Sequence, residues 1–406
     1  MDVIYERCCG VDVHKKKLVV CLFRGRQKEI REFGTMTDEI LGMWEWLRDN
    51  ECEMVAMEST GVYWKPVYNL LEEKGMSLMV ANAQHIKAVP GRKTDVKDAE
   101  WIADLARHGL IRASFIPDRE QREIREMTRY RNSLVEERAR EINRVQSVLE
   151  GANIKLGSVV SDISGKSSMA ILAAIAGGNT DPETLSSLAQ GKLIEKVELL
   201  KRALYGSVGK HQMQMIAFQI NHIQFLNKQI EQLDEEIKKR TKPAEREIEL
   251  LDEMPGIARR SAERIIAETG HSLEQFRNAD TFCSWAGIVP GCNESAGKRK
   301  TTTISKGNVH LKQVIVECAV SAIRSKNSFF YARYHKLAPR RGNKKAVIAV
   351  AHSMLIAIYH MLKNKQPFQD LGANYYMMLN ADKIKDRNVK NLQKLGFEVS
   401  LTPTQA

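Results

Sequence analysis

The 406-residue sequence has no apolar stretch approaching the ~20 residues that a membrane span needs. Its most continuous run, Ala346 to Met361, carries His352 and His360 and reads as a buried helix. No basic segment followed by an apolar one opens the chain, so no signal peptide is expected, and no membrane partner. Cysteine is scarce: Cys8, Cys9, Cys21, Cys52, Cys283, Cys292 and Cys318 are an odd, scattered set without zinc spacing, mostly inside apolar runs. They read as reduced core thiols of a cytosolic protein. Aromatic content is also low, whereas charged residues are plentiful and leave a net charge of +12. That excess favours a polyanionic partner through counterion release. The clusters Lys298-Arg299-Lys300, Arg340-Arg341 and Lys344-Lys345 all fall in the C-terminal half and are the expected nucleic-acid contacts, although each alone also fits an ordinary solvated charge run.

Four acids stand out against this background. Asp12 interrupts Cys8-Cys9-Gly10-Val11-Asp12-Val13, a run that reads as a strand buried on both faces. A carboxylate there needs a partner, a metal or exposure at the strand edge. Glu58 closes the apolar run Met54-Val55-Ala56-Met57 before the turn-prone Ser59-Thr60-Gly61. Asp95 and Asp98, three apart in Lys93-Thr94-Asp95-Val96-Lys97-Asp98-Ala99, share one face if that segment is helical. Acids from strand ends and a helix can converge on hard divalent cations. The alternative is that Asp95 and Asp98 only favour a helix dipole, with Thr94 as the cap.

The pattern predicts α/β architecture followed by all-α. Strands are expected over Cys8–Val13, Leu18–Phe23, Glu29–Met36, a segment ending at Glu58, and Leu78–Ala81. Helices are expected around Ile40–Leu47, over Val62–Glu73 and up to His108, giving a mixed sheet covered by helices with an RNase H-like layout. From Arg119 to about Glu150 a charged helix carries a sparse apolar stripe, and glycine and serine loosen the pattern from Gly157 to Gly178. Ile216, Ile220, Ile223, Leu226, Ile230, Leu233 and Ile237 form a coiled-coil seam. It serves either subunit association or an intramolecular hairpin against residues 119–150. The segment from Leu250 through Met254-Pro255-Gly256-Ile257 to Glu268 reads as helix, hairpin, helix, a unit that grips nucleic-acid backbone or is a plain helical turn with no ligand. Helices from His310 to Arg324 and Lys345 to Leu362 follow, then, after about Lys383, a polar, poorly ordered tail.

Taken in order, Gly10-Val11-Asp12, Glu58-Ser59-Thr60-Gly61-Val62-Tyr63, the Asp95–Asp98 segment, Met254-Pro255-Gly256-Ile257, Trp285-Ala286-Gly287-Ile288-Val289-Pro290 and Ile304-Ser305-Lys306-Gly307-Asn308 resemble the motifs of the insertion-sequence one-ten family of transposases, the bridge-RNA-guided recombinases. The resemblance implies a RuvC-like domain over 1–112, a helical or coiled-coil oligomerisation region over 113–245, a transposase domain with a catalytic serine over 246–380 and a polar tail over 381–406. It implies that Asp12, Glu58, Asp95 and Asp98 bind Mg²⁺ and that Ser295 is the nucleophile, with Ser305 as runner-up. Donor and target DNA, a noncoding bridge RNA and a homo-oligomer, dimer to tetramer, are the implied partners. The implied setting is the prokaryotic cytoplasm, at the nucleoid. A hydrolytic RNase H-like nuclease, such as a junction resolvase, would use the same acids with a water nucleophile. A non-enzymatic nucleic-acid-binding assembly protein is the third expectation.

Overall fold

The computed structural model describes residues 3–59, 61–81, 95–111, 113–291, 294–295, 298–299 and 303–401; of residues 95–97, 294, 295, 298 and 299 it describes the backbone only. Two compact units divide at Pro117 and Asp118.

The first unit is a five-stranded sheet built from β1 (Arg7–Val13), β2 (Lys17–Arg24), β3 (Gln27–Gly34), β4 (Met54–Glu58) and β5 (Leu78–Ala81), in the order β3-β2-β1-β4-β5. β1 pairs antiparallel with β2 and parallel with β4, and β4 pairs parallel with β5. Alternation along β1 assigns its side chains to two covers. Cys9, Val11 and Val13 join a core with Ile40, Met43 and Leu47 of helix α1 (Thr37–Asp49) and Val67 and Leu71 of α2 (Trp64–Glu73). On the other face, Cys8 and Ala56 meet Ile102, Leu105 and Ala106 of α3 (Asp95–Arg107). Gly10 is required there. A Cβ on it would lie 2.2 Å from Ala99 O and 2.4 Å from Ala103 N, so the backbone of α3 rests directly on the strand. Burial pushes the Cys8 thiol up to about 12, which makes it an inert core group rather than a nucleophile.

The second unit is almost wholly helical. Asp118 caps α4 (Arg119–Gly151), its Oδ1 accepting from Gln121 N at 2.8 Å. α6 (Lys210–Arg240) folds back on α4: Leu226 and Ile230 pack on Leu134, Arg131 Nε meets Asp234 Oδ1 at 2.7 Å, and Arg138 Nη1 donates to Asn227 Oδ1 at 2.8 Å. The predicted seam is thus filled within the chain, as the hairpin alternative required. Between these helices the glycine- and serine-bearing stretch is not loose. It contains α5 (Lys166–Ala176), whose Ile171, Leu172 and Ile175 are fully buried with Val145, Leu149 and Ile216.

Next come α7 (Glu245–Asp252) and α8 (Arg259–Thr269), joined by a turn in which Gly256 has φ +90°. A Cβ on Gly256 would meet Cys318 O at 2.5 Å, so this turn is fastened to α10 (Val309–Ala322), which follows α9 (Ala279–Trp285). α11 (Phe329–Arg341), absent from the sequence expectation, is held by Phe330 stacking on Phe368 at 5.4 Å. Against the expectation that no apolar stretch approaches span length, α12 (Asn343–Asn364) is long and apolar enough to cross a membrane by length and composition alone. Ala346, Val350, Met354, Leu355 and Ile358 are instead buried in the unit's core, which bears out its reading as a core helix. Within the polar tail, Ala381–Lys394 is a helix, α13, that buries no side chain.

Candidate functional site

Three features of the first unit bring the predicted acids to one edge of the sheet. Asp12 and Glu58 each follow the paired residues Val11 and Met57 at the ends of neighbouring parallel strands. By the period of two, both fall on the face covered by α3, alongside Gly10 and Ala56. α3 runs opposite to β1, because its last carbonyl, Arg107 O, accepts from Ile4 N at 2.9 Å while Ala99 lies over Gly10. The first turn of α3, which holds Asp95 and Asp98, therefore points toward the end of β1 where Asp12 sits. Of Asp95 only the helical position is described, and Thr94, its alternative cap, lies outside the described residues.

Asp12 is not fully enclosed: its side chain is 15 % exposed. His14 Nε2 donates to Asp12 Oδ2 at 2.9 Å. The sequence reading missed His14, although its spacing of two along the chain from Asp12 was the available signal. Lys15, Lys16 and Lys17 continue from it, so positive charge adjoins the acidic edge. An all-carboxylate donor set fits a hard divalent cation such as Mg²⁺. Among the described residues, no three His, Cys, Asp or Glu side chains are already gathered as a metal cage.

In the second unit, Ser295 lies on a two-stranded ribbon. β6 (Glu294–Ser295) pairs antiparallel with β7 (Lys298–Arg299), Ser295 opposite Lys298. Ala296, Gly297 and Lys300 lie outside the described residues. The root of this hairpin is fixed by backbone bonds: Gly291 N to Thr303 O, Ser305 N to Val289 O and Asn308 N to Trp285 O, each 2.9 Å. Gly287 and Gly307 cross at the base. A Cβ on Gly307 would lie 2.4 Å from Gly287 N, and Gly287 itself has φ +71°. Two of the quoted motifs are thus the two legs of one stem. Ser305 Oγ is enclosed without a partner among the described residues, a poor position from which to attack a phosphate.

A buried ionic hub supports the stem. Glu268, 3 % exposed, takes Arg129 Nε and Nη2 at 2.7 and 2.8 Å and accepts from Asn308 Nδ2 at 2.7 Å. Asn308 Oδ1 meanwhile caps α10, accepting from His310 N and Leu311 N at 3.0 Å. Burial pushes the Glu268 carboxyl up, but the Arg129 hydrogen bond and charge, Asn308 and Arg125 outweigh it, and its pKa is lowered overall. No local motif marks this hub, whose partners are 139 and 40 residues away.

Of the predicted basic contacts, Arg340 and Arg341 end α11, and Lys344 and Lys345 open α12 across the Gly342 break, at φ +81°. Lys344 and Lys345 line a cavity of about 430 Å³ shared with Pro290 and Ile304 at the hairpin root. The structure therefore brings those two lysines to the foot of the serine hairpin. Ser295 and the four acids belong to separate units.

Comparison with known proteins agrees with the motif order. Residues 9–154 match the family described as DEDD transposase IS110, and residues 248–335 match the transposase IS116/IS110/IS902 family. The chain is 26 % identical over 319 residues to a probable family 20 transposase of Pseudomonas aeruginosa, covering 78 % of this chain and 80 % of the relative. It is 22 % identical over 324 residues to the transposase for insertion sequence element IS1111A of Coxiella burnetii, covering 78 % and 79 %.

Proposed function

Because the chain belongs to the IS110 family of transposases, acting in the transposition of an insertion sequence, we propose that it cuts and rejoins DNA by a serine nucleophile working with an acidic, Mg²⁺-binding edge. The observation that carries this reading is the convergence of Asp12, Glu58 and the start of α3 at one edge of the first unit's sheet. The strand order, with antiparallel β3-β2-β1 beside parallel β1-β4-β5, supports reading that unit as RNase H-like. The α7–turn–α8 unit is read as a helix-hairpin-helix on the nucleic-acid backbone.

Asp12, Glu58, Asp95 and Asp98 would hold the metal, which when bound supplies charge stabilisation at the scissile phosphate. Ser295 attacks phosphorus: its oxygen forms the new ester, its proton leaves, and a DNA hydroxyl departs. The phosphodiester energy is retained in phosphoserine, so the DNA hydroxyl of another strand can reverse the step and rejoin. Lys298 and Arg299, beside Ser295 in the ribbon, hold the phosphate. Lys300, Arg340, Arg341, Lys344 and Lys345 extend the grip along the backbone. Donor and target DNA, a noncoding guide RNA and further copies of the chain, up to a tetramer, complete the assembly, and the serine then reaches the acids of a neighbouring subunit or its own.

Denaturing gels of protein incubated with its element-end DNA test this reading. The expected result is a covalent protein–DNA adduct that disappears in Ser295→Ala and in Asp12→Ala. Cut DNA ends with no adduct in the wild type would favour metal-dependent hydrolysis, the RNase H-like nuclease alternative.

A further inference from the structure

Apart from its rim lysines Lys344 and Lys345, the cavity at the hairpin root has no part in the chemistry above. At about 430 Å³ it falls in the range of small-ligand sites, ~300–1,000 Å³. Its walls divide by chemistry. Ile288, Pro290 and Ile304 from the stem face Ile348 and Ala349 of α12, giving an apolar interior. Arg333, Lys344 and Lys345 add three positive charges, and none of the three has an ion-pair partner among the described residues. Arg333 directs its donors to Ala349 O at 3.3 Å and Tyr376 Oη at 2.9 Å instead. His352 completes the wall. Burial, and then the charge of Arg333, lowers its pKa below the ordinary 6.5, so at pH 7 it offers one donor and one acceptor.

An apolar ligand would leave three cations without an anion, and a bare inorganic anion would leave the apolar interior unfilled. A nucleotide satisfies both. Its base has flat apolar faces and a polar edge, and its strand carries a phosphate on either side. Arginine and histidine planes are surfaces on which unstacked bases lie. We propose that this cavity receives one unpaired base of the DNA strand presented to Ser295, with the flanking phosphates on Lys344 and Lys345. The proposal rests on the serine-recombinase reading and adds to it a preference for DNA that is already melted at the cut, since extruding a base costs least there. The base would also fix the register of the strand against the hairpin.

Full-length protein is titrated with three probes of equal length: oligodeoxythymidine, an abasic deoxyribose-phosphate chain and a fully paired duplex. The expected result is about tenfold tighter binding to the thymidine chain than to the abasic one. Ala349→Trp, which fills the cavity, brings that ratio close to one and leaves duplex binding intact, which also shows that the variant is folded. Lys344→Ala with Lys345→Ala, on the exposed rim, weakens both single strands by the same factor. A second readout needs no variant: 5-iododeoxyuridine placed in the oligonucleotide crosslinks under light to the peptide containing residues 344–352. Equal affinity for the thymidine and abasic chains, an unchanged ratio in Ala349→Trp, or crosslinks confined to other peptides would overturn the base pocket and leave the recombinase reading standing. Failure to bind any of the three probes would likewise overturn the base pocket, whereas the recombinase reading falls only if the wild type cuts element-end DNA without forming an adduct.

Discussion

The acidic edge and the serine hairpin each stand on a place where backbone touches glycine, yet they are built on opposite plans. Asp12 and Glu58 end core strands, so the packing that folds the first unit also positions them: Gly10 lets α3 settle against β1, and the first turn of α3 comes with it. Ser295 is carried away from the core on a short ribbon, and only the stem below it is fixed, by the Gly287–Gly307 crossing and by Asn308 held on Glu268. The charges are opposed as well. The strand ends of the first site carry Asp12 and Glu58, whereas Arg333, Lys344 and Lys345, without carboxylate partners among the described residues, line the cavity at the foot of the second. The contrast teaches that packing of the first unit itself carries Asp12 and Glu58 to their strand ends, while the Ser295 ribbon is set by the stem beneath it.

That contrast can be broken most severely at Glu268. Glu268→Ala leaves Arg125 and Arg129 without their buried carboxylate and is expected to cost about 3–5 kcal/mol, seen as lost hydrogen-exchange protection in α8 and the stem with β1 and α3 unchanged. The converse substitution is Gly10→Ala. Its Cβ would meet rigid helix backbone, so a loss at the upper end of about 1–3 kcal/mol is expected, with protection lost in β1 and α3 and kept in α8.

Acid sharpens the same comparison. The Glu268 pKa is lowered on folding, so its contribution is complete above the ordinary glutamate value of 4.5 and is lost as pH falls through the lower folded value. In urea titrations from pH 6 down to pH 3, Glu268→Gln should start less stable and lose less than the wild type. A parallel decline would remove Glu268 from the stem's support. The smallest effect is electrostatic. Replacing Lys344 or Lys345 singly by Ala should reduce the slope of log affinity against log salt by about one, uniformly across DNA sequences, as read by anisotropy at several salt concentrations.

Much of the first unit was legible because its signals are local. Leu78–Ala81 was marked by its apolar run, and Asp12 drew attention because a carboxylate sits badly in a buried strand. The third strand stopped at Gly34 rather than Met36, since Met36 N already donates to Glu39 Oε2 at 3.1 Å to start α1. The second unit was read less completely, for a physical reason. Flanking glycines and serines masked α5, whose apolar interior decides its fate. Glu268 looks like any surface glutamate until Arg129 arrives from a distant helix, and Arg333 and His352 meet only because α11 and α12 pack together. His14 was close enough to find, but its bond to Asp12 depends on side-chain direction rather than spacing.

The most direct test places sulfur for oxygen on the scissile phosphate, one diastereomer at a time, and follows adduct formation at Ser295. With Mg²⁺ one diastereomer should react at least tenfold more slowly, Mn²⁺ should restore it, and Asp12→Ala should abolish the reaction in both metals. Adduct formation indifferent to sulfur, to the metal and to Asp12 would contradict the joint action of the acidic edge and the serine on one phosphate.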